Sequence, residues 1–215
     1  MQKLKGLLKA AHFGPTLIVT AISFGFGTYY WWEGPAYVIA FGVFTGQLVV
    51  GWSNDLYDFD DDLKHQRAKK PLVSGLITKQ YLQKWLRFMV PFSFVANLLG
   101  PLGIKGGSVY MLGIAFGVAY NFYFKFSILS PLPYAIAFAA LPSSVAISKD
   151  INPPMWMLLG GALFGMAAHF INVIKDMDQD QASGIKGLPQ RLGKVKSIAV
   201  AVVLIALGIA LLIVS

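Results

Sequence analysis

Asn54, Asp55, Asp58 and Asp62 are followed 118 residues later by Asn172, Asp176 and Asp180, and Pro71 returns as Pro189 at the same offset. A spacing of four sets Asn54, Asp58 and Asp62 along one helical face, with Asp55 near the stripe of Asp62. His169, Asn172, Asp176 and Asp180, stepped by three, four and four, form a second such stripe. Carboxylates repeated at this spacing repel one another, so cations are expected beside them. Asn and Asp oxygens are the hard ligands Mg²⁺ takes, usually while it keeps waters and shares the phosphates of a substrate. Two facing stripes therefore suit a metal cluster around a diphosphate. Lys64, Arg67, Lys69 and Lys70, ahead of a break at Pro71 and Gly75, are either a solvated loop that sets orientation or anion ligands for the same phosphate. Lys125, after Tyr120 and Asn121, either snorkels to the interface or joins them. His169 reads as a hydrogen-bonded packing residue rather than a ligand.

A prenyl diphosphate held in this way is activated at its leaving group, because metal and adjacent Lys or Arg stabilise the charge that develops as the carbon–oxygen bond breaks. Its isoprenoid tail is expected between apolar helices, and an aromatic content of 14% supplies rings to stabilise an allylic cation.

The elements that must position these residues are membrane helices. The chain is 56% hydrophobic and 13% charged with a mean hydropathy of +0.60, so lipid is the solvent for most of its 215 residues. Apolar runs near the length needed to cross a hydrocarbon core fall at roughly 13–32, 36–53, 85–103, 108–124, 131–148, 155–174 and 197–214. No short alternating segments suggest a β-barrel. The expected fold is all-α, a polytopic transmembrane bundle, with Pro91 kinking the third span and Pro142 bending the fifth. The first apolar run is too long for a signal-peptide core and reads as a retained helix. Cysteine is absent, which excludes disulfides and thiolate metal sites.

A net charge of +8 raises the possibility of nucleic-acid binding, but the arrangement of the charges argues against it. With seven spans and a cytoplasmic N-terminus, 16 of the 18 Lys and Arg residues lie inside and only Lys105 and Lys149 outside. Both acidic clusters then meet the membrane on the cytoplasmic face, most simply of a plasma (inner) membrane. The 118-residue offset spans four helices and reads as an internal duplication with pseudo-repeats of roughly 1–125 and 126–215. The second repeat is expected to lack its last helix.

On these residues the chain resembles the UbiA superfamily of intramembrane prenyltransferases. The first family motif, N-D-x-x-D-x-x-x-D, is matched by Asn54, Asp55, Asp58 and Asp62, and the second, D-x-x-x-D, by Asp176 and Asp180 within KDMDQDQASGIKGLP. The resemblance implies Mg²⁺-dependent transfer of a prenyl group from a polyprenyl diphosphate to a lipophilic acceptor, often aromatic as in quinone biosynthesis. It implies that Asn54, Asp55, Asp58, Asp62, Asn172, Asp176 and Asp180 hold the metal, and that Arg67, Lys70, Tyr120, Asn121, Lys125 and Lys186 contact the diphosphate or shape its site. Such enzymes usually have nine transmembrane helices, so residues 1–215 are expected to be a single prenyltransferase domain that is incomplete at its C-terminus, or one whose missing wall comes from another copy in a homo-oligomer. Two other readings stay open. One is a catalytically inactive prenyl-diphosphate-binding or assembly subunit. The other is the vestibule of a cation transporter, which calls for charges at mid-membrane that the apolar runs do not carry.

Overall fold

Each apolar run becomes a helix. The computed structural model describes residues 2–215, and among them the order is α1 (Gln2–Ala10), α2 (Phe13–Tyr30), α3 (Glu33–Lys64), α4 (Lys79–Leu98), α5 (Gly103–Phe122), α6 (Leu132–Ile147), α7 (Gly161–Ala182), α8 (Leu188–Leu192) and α9 (Lys194–Val214). A π-helical turn over Trp156–Gly160 leads into α7, and a 3₁₀ turn over Phe124–Phe126 follows α5. By length and composition α3, α7 with its π turn, and α9 can each cross a membrane alone, while α1 and α2 meet the same test only as a pair, bent by 70° between them. α4 and α5 have 20 residues each, about 30 Å at 1.5 Å per residue.

The 32 residues of α3 extend about 48 Å, well beyond a hydrocarbon core of about 30 Å. Its apolar part, Ala36–Ser53, accounts for the membrane crossing, and the acidic turns from Asn54 onward project past it as continuous helix. α7 repeats this plan and ends in its own acidic turns.

α3 is flanked by α2, α4 and α5, while α6 lies between α5 and α7, α9 packs on α7, and α2 touches α6. Buried side chains donate to backbone across these contacts: Asn97 Nδ2 on α4 to Gly42 O at 3.0 Å, and Tyr110 on α5 to Val43 O at 2.9 Å.

Pro91 lies inside α4 and Pro142 inside α6, at the positions where the sequence suggested a kink and a bend. At Pro142 a neighbouring helix closes on the freed backbone. Proline leaves the carbonyl of Phe138 without its usual donor, and Gly161 of α7 closes on that carbonyl so tightly that a Cβ there would lie 2.8 Å from the oxygen.

Candidate active site

At one end of the bundle the chain gathers both acidic stripes. On α3 the step of four brings Asn54 Nδ2 to Asp58 Oδ2 at 2.6 Å. α3 ends with Gln66 in the left-handed region (φ 49°) and Arg67 N donating to Asp62 O at 2.9 Å, a reversal that turns the basic loop back over the carboxylates. Arg67 Nη1 then reaches Asp62 Oδ1 at 2.7 Å, and Lys70 Nζ reaches Asp55 Oδ1 at 2.7 Å and Asp62 Oδ2 at 3.8 Å. Lys125, from the 3₁₀ turn after α5, pairs with Asp58 beneath the rings of Tyr57 (4.8 Å) and Phe126 (5.3 Å). It is only 4% exposed, so it belongs to the cluster and does not snorkel to the interface.

The carboxylates are thus neutralised as their spacing requires. Burial works against the charge on Lys70, but Asp55, its hydrogen bond, Asp62 and Asp58 together outweigh it and hold the ammonium pKa above its usual value.

α7 ends on the same geometry. Gly184 has φ 73° and Ile185 N donates to Asp180 O at 2.9 Å, the counterparts, 118 residues on, of Gln66 and of the Arg67 N bond. Arg67 joins the two ends: its Nη2 donates to Ser183 Oγ at 2.7 Å and to Gln179 O at 3.4 Å, while Ser183 Oγ donates to Asp61 Oδ2 at 2.7 Å. Asp180 Oδ2 accepts from Gln190 Nε2 at 2.8 Å, and Asn172 and Asp176 are exposed.

The remaining candidates divide. Tyr120 lies edge-on to Tyr134 (ring centroids 5.3 Å) and to His169 (5.5 Å). Asn121 is buried and its amide is engaged with α3, donating to Val50 O and Ser53 Oγ, both at 3.2 Å. Lys186 stands apart on a shallow cavity of 230 Å³ that it shares with Gln181, Gly184, Ile185, Gln190 and Arg191. His169 is buried with Nε2 at 3.0 Å from Ser130 Oγ, a packing residue as its sequence context suggested. Ser183 and Gln190 were not legible as site residues, because uncharged residues just past the second motif carry no spacing signal. His12, whose Nε2 lies 3.5 Å from Asp55 Oδ1, was visible only as an isolated histidine ahead of the first span.

Among the described residues no three carboxylates or histidines converge on one ion position, since each carboxylate of the first motif is paired with Lys or Arg. The donor chemistry nevertheless fits a hard divalent cation. All the motif side chains offer oxygen, and Asp55 Oδ2, although buried, has no hydrogen-bond partner.

The sequence profile of the UbiA prenyltransferase family matches residues 12–215. No curated protein sequence matches the chain. Among solved structures, a UbiA homolog from Archaeoglobus fulgidus bound to DMAPP and Mg²⁺ aligns with a TM-score of 0.79 at 17% identity, covering 96% of this chain and 76% of that one. A UbiA homolog from Archaeoglobus fulgidus bound to Cd²⁺ gives 0.76 at 17% identity, covering 98% and 76%. A structure described for digeranylgeranylglyceryl phosphate synthase in membranes gives 0.69 at 20% identity, again covering 98% and 76%. At these identities the structural likeness establishes the fold.

Proposed function

The chain belongs to the UbiA prenyltransferase family, and from that premise we propose that it transfers a prenyl group from a polyprenyl diphosphate to a lipophilic or aromatic acceptor within the membrane. The observation that carries this reading is the pairing of every first-motif carboxylate with a cation, Asp55 with Lys70, Asp58 with Lys125 and Asp62 with Arg67. Carboxylates for a metal and cations for a phosphate are present together, and Arg67 ties them to the end of α7. The structure of a homolog bound to DMAPP and Mg²⁺ supports extending this chemistry to the present site.

Asn54, Asp55, Asp58 and Asp62 from α3, with Asn172, Asp176 and Asp180 from α7, would hold Mg²⁺, which when bound supplies positive charge to a leaving diphosphate. Lys125, Arg67 and Lys70 exchange their carboxylates for diphosphate oxygens, through charge-assisted hydrogen bonds stronger than neutral ones. Tyr120 borders the site from α5, and Lys186 offers a further cation from the loop after α7. Asn121 holds the end of α5 on α3 and so keeps Lys125 in place. Tyr57, edge-on to Phe122 at 4.9 Å and with the Lys125 ammonium over its ring, would offer a ring to stabilise an allylic carbon beside Lys125. The distribution of basic residues supports a site on the cytoplasmic side of a plasma (inner) membrane.

Purified protein with labelled prenyl diphosphates, Mg²⁺ and a panel of aromatic acceptors tests this. Prenylated product is expected from the native chain, and none above background from the Asp58→Ala, Asp176→Ala double variant. Turnover retained in that variant, or tight prenyl diphosphate binding with no turnover on any acceptor, contradicts the reading.

A further inference from the structure

α1 lies outside the chemistry described above, and its surface has a different character. It meets α2 at a bend of 70°, made at His12 where φ is 50°. α2 runs beside the apolar part of α3, with Ala11 against Gly51 and Gly27 against Ala36, so α1, bent 70° from α2, lies closer to the membrane plane than to its normal. It does so at the acidic end of the bundle, where Trp52 Nε1 donates to Leu7 O at 2.9 Å. One face of α1 is docked: Gly6, Leu7 and Ala10 are buried, and a side chain at Gly6 would collide with Ile77.

The opposite face carries two parallel stripes at a spacing of four, Leu4 with Leu8 and Lys5 with Lys9. Leu4 is 62% exposed. In the elbow between α1 and α2 these four residues and Phe13 line an open, almost wholly apolar groove of 360 Å³, with Lys5 and Lys9 both exposed. Lys3 is turned elsewhere, over the ring of Tyr81 at 5.2 Å. The sequence of α1, QKLKGLLKA, contains no acidic residue to compete for a ligand.

An apolar floor beside paired cations, at the level of the headgroups, matches one ligand class by shape and by charge. We propose that the elbow of α1 and α2 binds a single anionic phospholipid, with an acyl chain along Leu4, Leu8 and Phe13 and the headgroup phosphate on Lys5 and Lys9. A free phosphate finds the same lysines but gains nothing from the leucines, and a zwitterionic lipid gains the leucines but little from the lysines.

Native mass spectrometry of the detergent-solubilised full chain, titrated with phosphatidylglycerol or phosphatidylcholine, tests the proposal. Phosphatidylglycerol is expected to bind in preference. Lys5→Gln with Lys9→Gln should lower its affinity roughly tenfold or more and leave phosphatidylcholine unchanged, while Leu4→Ser with Leu8→Ser should weaken both lipids. Lys5→Arg with Lys9→Arg should keep the preference, which covers the case in which the glutamine variant fails to fold. Equal phosphatidylglycerol binding by the glutamine variant overturns the proposal. Loss of the preference in the arginine variant, or displacement of the lipid by an equal concentration of inorganic phosphate, also overturns it.

Discussion

Lys125 shows how far single residues at this site are committed to electrostatics. Its ammonium is buried against Asp58 and capped by two rings, a position tolerable only because the pair is complete. Removing one member leaves an unpaired charge, so Lys125→Met is expected to destabilise the protein by about 3 kcal/mol and to lower kcat/KM roughly 10²-fold. Adding Asp58→Asn to that variant should recover much of the thermal stability and none of the activity. Unfolding curves in detergent together with turnover separate the two effects. The spacing of Asn54, Asp58 and Asp62 made the need for a cation legible in the sequence. The identity of the Asp58 partner was not, because Lys125 arrives from a turn 67 residues along the chain.

At the level of elements, the apolar runs marked the helices of the bundle because burial in lipid imposes length and composition together. The acidic ends were less legible. The polar turns of α3 and α7 continue helices whose membrane crossing is already complete, and hydropathy alone does not distinguish such an extension from a loop. α1 was hidden for a related reason, since nine residues with three lysines read first as topology-setting charge. The matching backbone of the two motif ends, with Gln66 and Gly184 both at positive φ, supports the proposal that residues 1–125 and 126–215 are pseudo-repeats. Helix contacts set by glycine lead to a direct expectation. Gly165 of α7 packs on α6 so closely that a Cβ would meet Tyr134 O and lie 2.7 Å from Phe138 Cβ, so Gly165→Val should cost about 1–3 kcal/mol, visible as a lowered midpoint of thermal unfolding. At the far end of the bundle Asp150 is held below its usual pKa by its hydrogen bond to Lys105 and by that residue's charge. A depressed carboxylate stabilises the fold above its unfolded pKa and loses that contribution as pH falls through the folded one. The stability gap between the native chain and Asp150→Asn, read by unfolding at pH 7 and in acid, should therefore close below the ordinary value of 3.8.

Across the whole molecule, α3 and α7, whose motifs are separated by 118 residues, are proposed to act on one diphosphate. The bundle brings the two helix ends together, and Arg67 spans them from Asp62 to Ser183. Groups that share one ligand do not contribute independently, whereas distant independent sites add. Equilibrium binding of a non-hydrolysable prenyl thiodiphosphate, with and without Mg²⁺, tests this most directly in the native chain, Asp58→Asn, Asp176→Asn and the double variant. Each single substitution is predicted to abolish the gain in affinity that Mg²⁺ confers, and the double substitution to remove no more than either alone. A full Mg²⁺-dependent gain in Asp176→Asn, or additive losses in the double variant, would contradict a single site shared by the two helices.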